Sequence, residues 1–138
     1  KEVVQERRFW LLKSEPADFA WGDMLAVHVT TWDGVKNYQA QGNLKAASVG
    51  DFAFFYHTGV EKAIKGIVKV CREFYIPEND RFGCIDVEFH SALKRSISLQ
   101  EIKSVESLSS MAILKQPRLS VSEVTPAEWD TIIEMSNQ

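Results

Sequence analysis

The segment Phe52-Ala-Phe-Phe-Tyr-His57 constrains the fold more than any other. Successive side chains of a strand alternate between its two faces, so a stretch whose alternating sets are both apolar or aromatic must be covered on both sides, as in a packed barrel wall. Its five uninterrupted apolar residues, Phe52 to Tyr56, are the longest such run in the chain, far short of the roughly 20 a membrane span requires. The 138 residues fit one compact domain on a scale of roughly 100 to 200 residues per domain. A chain of this length buries about two thirds of its unfolded surface and needs neither metal nor disulfide to fold. At 45% hydrophobic and 25% charged, the composition excludes disorder, collagen and coiled coil.

Around that strand the pattern is mixed. Residues 1–8, with five charges and only Val3 and Val4 apolar, read as a flexible arm, and 9–138 as the single domain. A strand is predicted over Phe9–Lys13, stopped by Pro16, which lacks the N–H a ladder needs. A short, uncapped helix over Trp21–Val27 and an extended stretch over Val29–Trp32 lead to a turn at Asp33-Gly34. Asn37 can cap a helix whose Ala40, Leu44 and Ala47 share a face. Beyond Phe52–His57, strands are predicted over Ile64–Tyr75 and Cys84–His90, the latter with Ile85, Val87 and Phe89 inward, and the three are expected to be antiparallel neighbours. Ser98-Leu-Gln-Glu101 is a capping box opening a helix to Ser104. A helical turn near Ser107–Leu114, a break at Pro117 and a strand over Leu119–Val124 follow. The last helix starts at Thr125-Pro-Ala-Glu128 and buries Trp129, Ile132 and Ile133. The sum is an α+β domain: a mixed β-barrel of five to six strands with short peripheral helices.

Charge narrows the function. The net charge of −3 argues against a broad electrostatic DNA clamp. It divides unevenly, with ten basic and eight acidic residues in 1–72 against six and eleven in 73–138, so a polyanion should meet the first half. His28, His57 and His90 are 29 and 33 residues apart and unaccompanied by clustered carboxylates, so no metal is expected, and no cofactor either. The glycines are isolated, which argues against a phosphate-cradling loop. Cys71 and Cys84 cannot form a Cys-x-x-Cys knuckle; a disulfide between neighbouring strands stays open but unsupported, and a reducing interior is the expectation. With no leader pattern, the chain is expected inside the cell: cytoplasm for a prokaryote, nucleus or organelle for a eukaryote.

Three clusters set polar groups beside aromatics at turns and strand ends: Lys13-Ser14-Glu15-Pro16, Trp32-Asp33-Gly34-Val35-Lys36-Asn37, and Phe55-Tyr56-His57-Thr58. A planar heteroaromatic ligand is well served by this inventory, with Trp32 as a stacking face and Ser14, Glu15, Asn37 and His57 as donors and acceptors for a ring edge. In this order the motifs resemble the EVE domain family of the PUA-like superfold. That family's pattern runs Trp-Leu-x-Lys-Ser-Glu-Pro, Trp-Asp-Gly-Val-Arg-Asn, Gly-Asp then Phe-Phe-Tyr-His-Ser, and Arg-Leu-Ser-Val. Here it stands as Trp10-Leu-Leu-Lys-Ser-Glu-Pro16, Trp32-Asp-Gly-Val-Lys-Asn37, Gly50-Asp51 with Phe54-Phe-Tyr-His-Thr58, and Arg118-Leu-Ser-Val121. The sequence departs from it at Lys36 and Gln41, where arginine is usual, at Thr58 for serine, at Ser96 for proline, and in a shorter segment over 76–83. A lysine keeps the charge of arginine but loses its bidentate fork.

The resemblance implies a non-enzymatic reader of modified bases, cytosines above all, in DNA or RNA. On that reading the base pocket comprises Lys13, Ser14, Glu15, Trp32, Asn37, Tyr56, His57 and Thr58, with Lys13, Lys36 and Arg118 meeting phosphates. Trp32 is expected as a pocket wall on a loop. Each assignment has a plainer counterpart: Asn37 as a helix cap, His57 as a hydrogen-bonded core residue, Glu15 paired with Lys13 so that the lysine stays protonated, and Arg118 paired with Asp51 or Asp33. Trp10, Trp21 and Trp129 are expected in the core. Two further functions stand beside the reader: an amidohydrolase of the ASCH type using Lys13, Ser14, Glu15 and Thr58, and a sensor of a free nucleoside. A monomer is expected, with no membrane partner.

Overall fold

The computed structural model describes residues 7–138. Most of the expected arm thus lies outside the described residues. Its last two residues, Arg7 and Arg8, lie against the domain: Arg7 sits over the Phe52 ring at 4.6 Å, and the Arg8 guanidinium grips Glu123 at 2.9 and 3.0 Å.

Six strands form one mixed sheet: β1 (Phe9–Ser14), β2 (Val29–Trp32), β3 (Phe52–His57), β4 (Ala63–Tyr75), β5 (Cys84–Ser98) and β6 (Val121–Val124), in the order β2-β5-β4-β3-β1-β6. β1 runs parallel to β3, and every other pairing is antiparallel, including the expected β3-β4-β5 meander. The two edge strands, β2 and β6, are not paired with each other, so the barrel stays open along one seam.

β3 is covered on both sides, as its composition requires. Ala53 and Phe55 join the core beneath α1 (Trp21–Val27) and α2 (Tyr38–Ala46). Phe54 and Tyr56 join a second core, closed by α3 (Leu99–Ser104), a 3-10 turn (Glu106–Leu108), α4 (Ala112–Lys115) and α5 (Pro126–Ser136). Trp129 of α5 stacks on Phe54 with ring centroids 3.8 Å apart. β4 does not keep one alternation throughout: its register against both neighbours shifts between Ile64 and Gly66, so Ile64 and Ile67 share the second core although three residues apart. A bulge inserts one unpaired residue and so reverses which parity faces which side.

β5 runs eight residues past the predicted end at His90, because Ser91–Ser98 keeps pairing with β4. Its polar residues on a largely solvated surface conceal that strand from a hydrophobicity pattern. The expected capping box forms at Ser98/Glu101, and Thr125 and Glu128 make a second one at the start of α5. Both cysteines are free thiols. Among the described residues, no helix is long and apolar enough to cross a membrane, and no group of His, Cys, Asp and Glu is placed to hold a metal ion.

Candidate functional site

The open seam holds a cleft of about 820 Å³, within the range of roughly 300 to 1,000 Å³ typical of small-ligand sites. One wall is β2 and the turn 33–35; the other is the end of β1 (Lys13, Ser14, Glu15) with Ser120, just before β6. Phe19 and Trp32 supply its aromatic surface. The cleft exists because β2 and β6 do not meet, and the sequence segments that end at the seam are the Lys13 and Trp32 motifs.

Trp32 is the last residue of β2 and not a loop residue. It is only 8% exposed, with Phe19 and Phe55 set edge-on to its ring at 6.4 and 5.5 Å. It therefore lines the cleft and fills core at once. Ser14, also buried, donates its hydroxyl to the Phe19 carbonyl, which leaves its oxygen free to accept. The Glu15 carboxylate lies over Gly59, where a β-carbon would come within 3.1 Å of both oxygens, and accepts a long 3.5 Å bond from the Thr58 hydroxyl.

Lys13 corrects an expectation. It does not pair with Glu15; its Nζ donates to the Pro117 carbonyl at 2.7 Å, and burial lowers its pKa. Alternation carries both side chains to one side of the strand, but the chain before β6 offers the lysine a nearer acceptor. Three acidic residues, Glu15, Asp18 and Asp33, line the cleft against this one lysine, with the Glu15 carboxylate turned toward Gly59 and Thr58. The interior therefore favours a donor-rich ligand edge over a phosphate.

The structure brings Lys13, Ser14, Glu15 and Trp32 together, and places the other expected pocket residues elsewhere. Tyr56 sits in the second core, 3% exposed, where burial raises its pKa. His57 is engaged at both nitrogens: Nε2 accepts the Trp21 N–H at 2.9 Å, and Nδ1 bonds the Glu61 carboxylate at 2.7 Å. An accepting Nε2 puts the ring proton on Nδ1. His57 thus supplies the N-terminal acceptor that α1 lacks locally, while the Asp23 carboxylate takes the Ala20 N–H. Thr58 ties β3 to β1 through its N–H, which donates to the Ser14 carbonyl at 2.9 Å. Asn37 caps α2 by accepting the Ala40 N–H at 3.0 Å. It lines a separate depression of about 410 Å³ with Arg118, Gln39 and Pro117. Lys36 borders a third hollow beside Pro77, Asp80 and Phe82.

Among the described residues Arg118 has no ion pair. Asp51, one partner considered for it, is buried and already accepts from the Arg8 N–H, the Ser48 N–H and the Trp10 indole. That carboxylate is the anchor of the Gly50-Asp51 motif, and Gly50 has the positive φ of 98° that its turn requires.

Gln41 escaped the sequence reading as a site residue. Its amide donates to the carbonyls of Val35 (2.7 Å) and Gly83 (2.9 Å) and accepts the Gly83 N–H at 3.0 Å, pinning the 33–35 wall to the start of β5. The available signal was a polar residue on the buried Ala40/Leu44 stripe of α2, which must find partners. Phe19 gave less warning, being the lone aromatic of the short loop between β1 and α1.

Against known proteins, the model of the EVE domain family matches residues 8–135. Human thymocyte nuclear protein 1 is 31% identical over 166 aligned positions, covering 94% of this chain and 74% of that protein. A crystal structure of human THYN1 in complex with 5-methylcytosine-containing DNA superposes with a TM-score of 0.88 at 31% identity, covering 95% of this chain and 98% of that one. A hypothetical protein from Leishmania major gives a TM-score of 0.91 at 33% identity over 96% of both chains. An ASCH protein from Zymomonas mobilis, at 12% identity and a TM-score of 0.61 over 94% of this chain and 96% of that one, shares the fold alone.

Proposed function

The chain belongs to the EVE domain family, and from that premise we propose that it is a non-enzymatic reader of DNA that takes a modified, cytosine-type base into its open seam. The observation that carries this reading is the pairing of aromatic surface from Phe19 and Trp32 with three acidic residues in one cleft of ligand size. Carboxylates accept from the exocyclic amine of cytosine. The human relative crystallised with 5-methylcytosine-containing DNA supports the choice of polymer and base.

The energetics are consistent with base extrusion. Removing a base from a duplex costs a few kcal/mol, and each base stacked on an aromatic side chain returns roughly 1 to 3 kcal/mol. Phosphates stay outside the acidic cleft, where Lys13 at the rim and Arg118 and Lys36 in the flanking hollows can meet them.

The chemistry of the cleft favours binding over turnover. A serine nucleophile needs a neighbouring base, whereas the Ser14 hydroxyl donates to a carbonyl. The Lys13 ammonium is likewise directed at the Pro117 carbonyl, and Thr58 is directed at β1.

Titration with matched oligonucleotides carrying one 5-methylcytosine or one cytosine, as DNA and as RNA, together with free 5-methylcytidine, tests the proposal. The expected result is preference for modified DNA, with log affinity falling against log salt at a slope of about −2 to −3, near 0.7 to 0.9 per neutralised phosphate. Equal affinity for modified and unmodified oligonucleotides would overturn the modified-base reading. Release of ammonia from the bases, or of acetate from acetylated cytidine, lost in Lys13→Met, would overturn the non-enzymatic one.

A further inference from the structure

The seam exposes more than side chains. β2 is an edge strand, bonded on one side to β5 with the register Val29↔Glu88, Thr30↔Val87, Thr31↔Asp86 and Trp32↔Ile85. The Phe89 N–H donates to the His28 carbonyl at 2.7 Å, which fixes the phase of that ladder. In an antiparallel pair, residues that exchange both backbone bonds alternate with residues that exchange none. With 28/89 a bonded pair, 30/87 and 32/85 are bonded too, while Val29 and Thr31 turn their N–H and C=O groups away from β5. Among the described residues neither residue's backbone has a partner on the seam side, and both residues line the cleft.

We propose that the main chain of Thr31, and not a side chain, reads the hydrogen-bonding edge of the bound base. An extended residue on a free edge presents its N–H and C=O side by side, the arrangement that a neighbouring strand residue meets with its own pair. A cytosine-type base offers the complement, a ring nitrogen that accepts beside an exocyclic amine that donates. The Thr31 N–H donates to the ring nitrogen, and the Thr31 carbonyl accepts from the amine. The acidic residues Glu15, Asp18 and Asp33 around the cleft favour an amine-bearing edge there. A base fits better than an added peptide strand, because β2 spans four residues and the cleft is bounded opposite by Lys13, Glu15 and Ser120. This rests on the base-binding reading above and adds the atoms that discriminate.

Proline makes the test sharp. It removes an N–H, and at Thr31 that N–H makes no bond within the fold, so an edge strand tolerates the change. Thr31→Pro is expected to weaken binding of 5-methylcytosine DNA at least tenfold; a loss as large in Thr31→Ala, which keeps the backbone groups, would assign the reading to the side chain and overturn the inference. Amide hydrogen exchange on the wild-type protein gives a second readout, independent of whether the proline variant folds. The Thr31 amide exchanges freely alone and slows at least tenfold with the modified oligonucleotide bound. An unprotected Thr31 amide in a saturated complex overturns the inference and leaves the reader intact; no binding of any oligonucleotide or nucleoside by wild type overturns both. Protection of the Val29 and Thr31 amides that grows with protein concentration alone assigns the edge to strand pairing between copies and overturns it as well.

Discussion

β1 and β3 lie side by side and parallel, with Lys13 opposite Tyr56 and Ser14 opposite His57, yet their hydrogen-bonding ends do different work. The β1 triplet Lys13-Ser14-Glu15 borders the cleft. The β3 triplet is consumed by the fold: Tyr56 in the second core, His57 as acceptor for α1, Thr58 bonded back to β1. The difference is one of position in the sheet. β3 is hemmed in by β4 and β1, whereas the end of β1 faces the seam left by the unpaired edges. A motif's chemistry says which groups are available; its distance from the unclosed edge decides which of them a ligand can reach.

Trp32→Ala tests that contrast with the largest effect, because Trp32 belongs to both worlds. It should cost about 3 to 5 kcal/mol of stability, as for other large-to-small core changes, and abolish base binding; urea unfolding and titration on one preparation measure both. Stability equal to wild type would return Trp32 to the role of an exposed wall. Gln41→Ala comes next. It strands the Val35 carbonyl and both backbone groups of Gly83, at roughly 1 to 3 kcal/mol, and should speed hydrogen exchange at the Gly83 amide.

The sheet partners Ser14 and His57 give the direct comparison. His57→Ala should destabilise by about 1 to 2 kcal/mol, the cost of a lost helix-terminal acceptor, with base affinity within about twofold of wild type. Ser14→Ala should cost about 1 kcal/mol of stability and weaken base binding by roughly five- to tenfold, about one hydrogen bond. The reverse pattern of affinities would move the site to β3.

The smallest effect is a pH dependence. Hydrogen bonds from Lys65 and then His57 hold the Glu61 carboxyl below its ordinary value. A carboxyl depressed in the folded state contributes stability that is present above its unfolded pKa, near 4.3, and is lost as pH falls through the folded value. Glu61 is 42% exposed, so screening limits the contribution to at most about 1 kcal/mol. Unfolding curves between about pH 3 and 6 should be flatter in Glu61→Gln than in wild type; identical curves would show that the pair adds nothing.

Much of this architecture could be read from the chain itself. The two-sided burial of β3 and both capping boxes follow from periodicity and side-chain chemistry that act within a few residues. The bulge at Lys65 and the polar half of β5 do not, since each is set by a neighbouring strand rather than by its own pattern. At the site, the family resemblance singled out residue types but not their neighbours. Asn37 and His57 look like base readers in isolation, but their bonds go to Ala40, Trp21 and Glu61. Thr31 has the opposite history: nothing in its side chain marks it, and its interest comes from the phase of a ladder.

An unclosed barrel also has kinetic consequences. No backbone hydrogen bond spans β2 and β6, so widening the gap between them ruptures no ladder and needs no partial unfolding. On the proposed reading, entry of a base is then limited by extrusion from its own stack, and the association rate should track how readily the duplex opens at that step rather than any slow gate in the protein.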